Sequence, residues 1–288
     1  MEVARGIHRL EGDLGERYVC QYLLVGEDRT LLVDTGLRDM PNTVIAPHLD
    51  GRRVHDVLIS HADVDHCGGN RALRELSPDT RFLCGEADRP WIESNAAMLA
   101  GNYRWYEAYG FGPSEEDVAF LEHELGGDAP VDVGLRGGET LRLGPDRRLE
   151  VLSLPGHTAG HLGLWDAETG AAIVIDAVLA DGVCDRAGRR LIPPRYYDAA
   201  AYEATIRRLR ALDPDLLLTA HYDVMERAAA REFLDRSLDF VRAVRGAVRA
   251  ARTTDLRDLT GEVDAAVGPF PAFTHELAAS VRAHLAEL

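Results

Sequence analysis

The sequence predicts a mixed α/β protein in which two β-rich blocks are separated by a helical insertion and followed by a helical tail. Three observations lead to this prediction. Short apolar runs alternate with turn residues in the first third of the chain and resume near residue 139. Residues from about 86 to 127 break that rhythm, and helical periodicity dominates beyond residue 226. We therefore expect sheets that are covered by helices.

The first block opens with a predicted hairpin. Tyr18–Val25 and Thr30–Val33 are rich in Val, Leu and Tyr, and a Gly-Glu-Asp turn separates them. Val54–Ser60 is a continuous apolar run of the kind that forms buried strands. A helix is predicted from about Gly69 to Leu76. The polar segment 61–66 therefore lies between a strand and a helix, where a rigid scaffold leaves side chains free to converge.

The insertion, residues 86–127, is predicted to be helical and is rich in aromatic residues. Six aromatic side chains fall between residues 91 and 111, and Ser114 precedes an acidic helix start. Two interpretations remain open: the aromatic side chains pack the insertion onto the body of the protein, or they form a lid that lines a substrate pocket.

The second block and the tail contain further elements. Predicted strands cover Glu139–Leu143, Leu149–Leu154, His161–Trp165, Ala171–Ile175 and Asp215–Thr219. Predicted helices cover Asp198–Leu212, Arg227–Arg249, Asp255–Val267 and a segment after Thr274. We expect a domain of residues 1–225 and a helical extension of residues 226–288. The extension could cap a site, form a homodimer or complete the core.

The chain has no lysine, so its 32 basic residues other than histidine are all arginine. This excludes Schiff-base aldolases, lysine-bound pyridoxal-phosphate enzymes, P-loop NTPases and protein kinases, because each of these needs an amine. The net charge of −16, without a basic run, argues against nucleic acid or anionic membrane as partners. A small molecule is the expected partner.

Four widely spaced cysteines show no CxxC pair, which favours free thiols in a reducing compartment. The first ten residues do not resemble a secretory signal. Both features predict a cytoplasmic protein.

Four potential metal ligands stand at the ends of predicted strands. His61, His157 and His221 each follow such a strand, and Asp176 ends another. Strand ends at one edge of a sheet meet in space, so we expect these imidazole and carboxylate groups to form a metal site.

These motifs resemble those of the metallo-β-lactamase-fold superfamily. The similarity rests on His61-x-Asp63-x-Asp65-His66, on Pro155-Gly156-His157-Thr158-Ala159-Gly160-His161, on Asp176 and His221, and on the early Asp34-Thr35-Gly36. It extends from about residue 7 to 225, and its second motif is most similar to the glyoxalase-II-like hydrolases. The resemblance implies a four-layer αββα sandwich with the helical insertion and the C-terminal extension added to it.

The resemblance also implies a site for two divalent metal ions, most typically zinc. One ion would take His61, Asp63 and His157, and the other Asp65, His66 and His221, with Asp176 bridging the two. A hydroxide between the ions would attack an acyl carbon, and Asp65 would pass a proton to the leaving group. Asp34 and His161 would orient the ligands through hydrogen bonds.

Asp63 departs from the family pattern, which usually has histidine there. A carboxylate is a harder ligand than imidazole, so iron or manganese becomes an alternative to zinc. Flavodiiron oxidoreductases are similar in having a carboxylate at this position, although they carry Glu there and normally a flavodoxin partner domain.

The predicted function is metal-dependent hydrolysis of a small ester, thioester or lactone. The alternatives are an iron-dependent oxygenase or oxygen reductase on the same ligands, and a metal-stabilised module without turnover. Candidate substrate-binding residues are Arg195, whose planar guanidinium suits a carboxylate, and the aromatic residues Trp105, Tyr106, Tyr196, Tyr197 and Tyr222.

Overall fold

A computed structural model describes residues 1–287 of the chain. Its first sheet has seven strands in sequential order: β1 (Glu2–Ala4), β2 (Ile7–Leu14), β3 (Arg17–Val25), β4 (Thr30–Val33), β5 (Asp56–Ile59), β6 (Arg81–Gly85) and β7 (Val133–Leu135). Strands β1 to β4 pair antiparallel, and β4 to β7 pair parallel. The predicted hairpin and the predicted buried strand are both confirmed.

Eight further strands follow along the chain: β8 (Thr140–Arg142), β9 (Arg148–Ser153), β10 (Leu162–Asp166), β11 (Ala171–Ile173), β12 (Val183–Cys184), β13 (Arg190–Ile192), β14 (Leu216–Leu218) and β15 (Met225–Glu226). Six of them form the second sheet in the order β15-β14-β11-β10-β9-β8, and β12 pairs with β13 alone. Strands β11 and β14 are parallel, so both carboxyl ends reach the same edge.

The helices are α1 (Ala46–Leu49), α2 (Val64–Cys67), α3 (Asn70–Leu76), α4 (Arg89–Glu93), α5 (Asn95–Met98), α6 (Glu115–Glu124), α7 (Ala199–Leu212), α8 (Arg227–Ala250), α9 (Leu256–Val267) and α10 (Leu277–Leu285). Short 3₁₀ turns cover Trp105–Tyr109 and Thr274–Glu276, and short π-helical segments cover Pro41–Ile45 and Leu99–Tyr103. The predicted insertion is therefore helical. The polar segment differs from its prediction as a loop, because residues 64–67 form a helical turn.

Side-chain alternation along the second sheet creates two apolar layers. Leu149 and Val151 of β9 face the first sheet, whereas Leu152 belongs to the cluster formed with helices α7 to α10. On the other side of the sandwich, Ile45 and Leu73 pack between the helices and the first sheet. The result is the four-layer αββα sandwich that the sequence predicted.

Helices α8 to α10 pack with α7 on the outer face of the second sheet. Strand β15 pairs with β14 and leads directly into α8. The domain boundary between residues 225 and 226 stays a prediction, and residue 288 lies outside the described residues. No helix within residues 1–287 is both long and apolar enough to cross a bilayer.

The two sheets approach closely where the second histidine motif begins. A Cβ on Gly85, at the end of β6, would lie 1.8 Å from the carbonyl oxygen of Gly160. Only glycine permits this contact between backbones. It places the loop that carries His157 directly against the carboxyl edge of the first sheet.

Candidate metal centre

The carboxyl ends of strands from both sheets bring seven polar side chains together. His61 follows β5 of the first sheet, and His157, Asp176 and His221 follow β9, β11 and β14 of the second. The seven side chains are His61, Asp63, Asp65, His66, His157, Asp176 and His221. All are buried except Asp65, which is partly exposed. The structure thus joins residues that lie far apart in the sequence.

Six of these side chains form two groups that could each hold a metal ion. His61, His157 and Asp176 make up the first group, with ligand atoms within 4.8 Å of one another. The second group contains Asp65, His66 and His221, at the same spacing. Asp176 also reaches the second group, because its Oδ2 lies 3.1 Å from Nε2 of His221.

Hydrogen bonds fix the orientation of the two histidines that follow β5. Nδ1 of His66 donates to Oδ2 of Asp34 at 2.8 Å. Ser60 donates its hydroxyl to the same carboxylate at 2.8 Å, so its Oγ accepts from Nδ1 of His61 at 2.9 Å. The proton of each neutral imidazole therefore lies on Nδ1, and the lone pair on Nε2 faces the site.

The other two histidines are held in the same way by backbone carbonyls. Nδ1 of His157 donates to the carbonyl of Arg195 at 2.6 Å, and Nδ1 of His221 donates to the carbonyl of Tyr18 at 2.9 Å. A carbonyl oxygen only accepts, so both rings carry their proton on Nδ1. In their neutral forms, all four rings thus present the lone pair of Nε2 towards the carboxylates.

These lone pairs meet carboxylate oxygens at short range. Oδ2 of Asp63 lies 3.1 Å from Nε2 of His61 and 3.0 Å from Nε2 of His157. Two acceptors approach this closely only with a proton or a cation between them. Ligands bound tetrahedrally at about 2.0–2.1 Å from one ion lie roughly 3.3 Å apart, which is close to the spacing found here.

Among the seven side chains of the site, two buried atoms lack a hydrogen-bond partner within residues 1–287. They are Nε2 of His66 and Oδ1 of Asp176. Oδ2 of Asp176 lies 3.4 Å from Nε2 of His66, without hydrogen-bond geometry. Leaving such groups unpaired is costly, and a bound cation would satisfy both. The nitrogen and oxygen donors therefore fit a divalent metal ion.

The carboxylates and imidazoles of the site shift one another's pKa values. Burial opposes the charge on His66 and His221, but nearby carboxylates outweigh it and raise the pKa of both rings. Burial opposes the charge on Asp176, but the imidazoles of His221 and His66 outweigh it and hold the pKa of this carboxyl well below its usual value. Burial and the neighbouring His66 lower the pKa of His61. A neutral His61 beside an ionised Asp176 is the combination that a cation requires.

Arg195 forms ion pairs with two carboxylates of the protein. Its Nη2 contacts both oxygens of Asp63, and its Nη1 lies 3.3 Å from Oε1 of Glu276. The guanidinium outweighs the effect of burial and holds the pKa of the Asp63 carboxyl well below its usual value. Arg195 also lines the cavity over the site, and the prediction that it binds a substrate carboxylate stays a prediction.

A cavity opens over the two groups. Its wall is mainly apolar. It includes Leu14 of β2, Phe120 and Leu121 of the insertion, Leu179 from the segment before β12, Val183 and Ile192 of the β12–β13 hairpin, and Phe273 of the tail. Arg17 also lines this cavity, and within residues 1–287 it forms no salt bridge. The insertion thus contributes to the cavity, as the lid interpretation expected: Tyr103, one of its six aromatic side chains between residues 91 and 111, lines the cavity together with Phe120 and Leu121.

The aromatic candidates Trp105, Tyr106, Tyr196, Tyr197 and Tyr222 lie outside this cavity. The hydroxyl of Tyr197 donates to Oδ1 of Asn102 at 2.7 Å, and that of Tyr222 donates to the carbonyl of Leu179 at 2.7 Å. Closeness in sequence to a motif did not bring these side chains to the cavity, so their role in substrate binding stays a prediction.

Three of those rings, which belong to Tyr196, Tyr106 and Trp105, instead contact residues of the helical tail. Tyr196 is fully buried, and its hydroxyl lies 2.9 Å from Nε2 of His284. Tyr106 is also fully buried and packs edge-on against His275, with ring centroids 5.2 Å apart. Trp105 lies 4.9 Å from the guanidinium of Arg282. Each ring thus packs the insertion, or the segment just before α7, against the helical tail.

His161 differs from its predicted role. The ring stacks on His61 with centroids 4.6 Å apart, and neither ring nitrogen has a hydrogen-bond partner within residues 1–287. Burial lowers the pKa of His161 well below its usual value. It therefore supports His61 through ring contact, whereas the sequence predicted a hydrogen bond.

Several supporting residues were missed by sequence reasoning. Asn102 and Tyr103, both in the insertion, donate to Oδ1 of Asp63 at 2.7 and 3.2 Å. Asp88 accepts from the Thr158 hydroxyl and from the Gly160 amide, which ties the second histidine motif to the insertion. No spacing in the sequence marks these residues, because each contact joins distant segments.

Comparison with known proteins identifies the family. A family profile described as the Metallo-beta-lactamase superfamily matches residues 14–221. The chain belongs to this superfamily. Over 171 residues it is 27% identical to a hydroxyacylglutathione hydrolase of Cereibacter sphaeroides, a match that covers 59% of this chain and 49% of the relative. The match thus spans about half the length of that relative.

Solved structures of the metallo-beta-lactamase superfamily share the fold. A metallo-beta-lactamase family protein from Thermus thermophilus has a TM-score of 0.72 at 23% identity and covers 99% of this chain and 93% of its own. A metal-soaked flavodiiron core from Synechocystis has a TM-score of 0.60 at 16% identity, over 86% of this chain and 62% of its own. These likenesses establish the architecture.

Proposed function

We propose that this chain is a metal-dependent hydrolase of a small ester, thioester or lactone. The observation that carries the proposal is the convergence of four imidazole lone pairs on the carboxylates of Asp63, Asp65 and Asp176. The relative named hydroxyacylglutathione hydrolase supports acyl hydrolysis as the reaction class. His61, Asp63 and His157 would hold one ion, and Asp65, His66 and His221 the other, with Asp176 between them. Zinc is the expected metal, with iron or manganese as alternatives.

When bound, a divalent ion lowers the pKa of water enough to supply a hydroxide nucleophile and polarises an acyl carbonyl. The chain supplies the surroundings of that chemistry. Asp34 and the carbonyls of Tyr18 and Arg195 hold the imidazoles in one tautomer. Asp65 is the partly exposed carboxylate of the centre. In this proposal it would accept the proton that the attacking water loses and pass it to the leaving group.

The cavity wall supports an apolar acyl group. Leu179, Ile192 and Phe273 exclude water from the mouth of the site, which strengthens the electrostatic interactions within it. Arg17 offers the cavity a cation that is not held in a salt bridge within residues 1–287. An acyl substrate with an apolar side chain fits this lining better than a highly charged phosphoester.

A substrate panel tests the proposal. Metal-quantified protein is assayed against acyl esters, thioesters, lactones, β-lactams and phosphoesters, before and after treatment with a chelator. We expect turnover of an acyl substrate that chelation abolishes and added metal restores. Turnover confined to phosphoesters would contradict the reaction class. Iron-dependent oxygen consumption without hydrolysis would instead support the redox alternative.

A further inference from the structure

Asp63, which lies beside the first metal group, and Asp65 of the second group differ in the charges that neutralise them. Asp63 is contacted at both oxygens by Nη2 of Arg195, whose side chain is only 3% exposed. Asp65 faces only histidines, with Nε2 of His221 at 3.5 Å and Nε2 of His66 at 3.7 Å. Within residues 1–287, the second group therefore has no arginine partner, whereas Asp63 already has a full positive charge beside it.

This difference bears on how strongly each position attracts a cation. A guanidinium keeps its charge at every accessible pH, so it cannot step aside by losing a proton. A divalent ion that enters beside Asp63 must share that carboxylate with Arg195, and it is repelled by the guanidinium. Within residues 1–287, an ion beside Asp65 and Asp176 does not have to compete with an arginine for its carboxylate ligands. Like charges repel each other strongly in a buried site, so the position beside Asp63 should bind a divalent ion less tightly.

Glu276 acts on the same arginine from the helical tail. Its Oε1 lies 3.3 Å from Nη1 of Arg195, and its side chain is 14% exposed. The carboxylate of Glu276 therefore offsets part of the positive charge that Arg195 presents to Asp63. The 3₁₀ turn Thr274–Glu276 that carries it lies next to Phe273, which lines the cavity.

We propose that Arg195, opposed by Glu276, makes the metal position beside His61 and His157 the weaker of the two. The first divalent ion then binds at Asp65, His66 and His221 with Asp176. A second ion binds beside His61 and His157 only by weakening the contact between Arg195 and Asp63. This inference rests on the proposed metal centre. It adds the order in which the two positions bind their ions, and it makes the position beside His61 and His157 the one whose ion exchanges more easily.

The order of filling can be measured without an assay of activity. Zinc-loaded protein is dialysed against graded concentrations of a chelator, and the ions retained per chain are counted by plasma mass spectrometry. We expect wild-type protein to lose its ions in two steps. In Arg195→Met, the first step should move to about tenfold or higher chelator concentration, because the competing charge is gone. Arg195→Lys carries a charge that a buried lysine can give up by losing its proton, so its first step should lie between those of the wild type and Arg195→Met.

Two further variants guard against a general loss of structure. Glu276→Gln frees the charge of Arg195 for Asp63 and should move the first step in the opposite direction, to lower chelator concentration. Arg17→Met removes a charge from the same cavity without touching Asp63, and should shift the step less than Arg195→Met. If Arg195→Met does not fold, Glu276→Gln decides alone.

One-step loss in the wild type, an unchanged curve in Arg195→Met, or shifts of Arg195→Met and Glu276→Gln in the same direction would each overturn the proposal. If Arg195→Met does not fold, an unchanged chelator curve in Glu276→Gln would also overturn the proposal. Two-step loss from a protein that hydrolyses no acyl substrate would contradict the proposed function only. Hydrolysis with one-step loss would contradict only the order of filling.

Discussion

Replacing Asp176 by alanine is expected to lower kcat/KM for the acyl substrate by about 10³-fold or more, which corresponds to roughly 4 kcal/mol of transition-state stabilisation. Asp176 is the carboxylate that belongs with His61 and His157 and also lies 3.1 Å from Nε2 of His221. Its loss removes a ligand from both positions at once. Steady-state kinetics and metal analysis on the same sample measure the two effects together.

Two variants control this experiment. Asp176→Asn keeps the volume and one ligating oxygen but loses the charge, so it should retain more metal than Asp176→Ala and still turn over slowly. Asp239→Ala removes an aspartate whose side chain is 73% exposed and should behave as wild type. Full activity in Asp176→Ala would show that this centre does not take part in the reaction. If the wild-type chain turns over no substrate, the alternative of a metal-stabilised module would be supported.

Replacing Asp34 by alanine should destabilise the folded protein by about 3 kcal/mol, since three buried hydrogen bonds are lost. The carboxylate accepts from the amide and the hydroxyl of Ser60 and from Nδ1 of His66. His66 would then lose the contact that fixes its tautomer, and metal affinity should fall by roughly 10–100-fold. Urea unfolding with excess chelator measures the first effect, and chelator competition measures the second.

Asp34→Asn is the matched control for this variant. Asp34 has a φ of 63°, a left-handed conformation that asparagine tolerates better than alanine. The amide also keeps one acceptor oxygen for Ser60, so the stability loss should be about half that of the alanine variant. Equal stability and equal metal affinity in Asp34→Ala and wild type would show that the hydrogen bonds to Asp34 do not organise the site.

Much of the fold follows from local patterns. The hairpin of β3 and β4 and the buried strand β5 are short apolar runs bounded by turns, and their pairing partners are neighbours in the chain. The acidic start of α6 carries a capping box between Ser114 and Asp117, which is readable from four residues. Such elements are set by residues that are close in sequence.

The supporting contacts of the site could not be predicted in this way. His61 and His221 stand at strand ends, so topology brings them together once the sheets form. The contact of Arg195 with Asp63 and Glu276 instead depends on how the tail packs on the second sheet. The sequence suggested only that Arg195 could bind a carboxylate, and in the structure both carboxylates are the protein's own.

Because the chain has no lysine, the buried cation beside Asp63 is an arginine, and this affects its competition with a metal ion. The planar group of this arginine reaches two carboxylates at once. Its fixed charge makes it a permanent competitor for a metal ion, whereas a buried lysine can lose its proton.

Anomalous diffraction from crystals of the protein loaded with one equivalent of zinc tests the metal centre most directly. We predict a single strong peak at about 2.0–2.1 Å from Nε2 of His66 and of His221, with carboxylate oxygens of Asp65 and Asp176 completing the coordination. A strong peak elsewhere on the protein, with none among these side chains, would contradict the account.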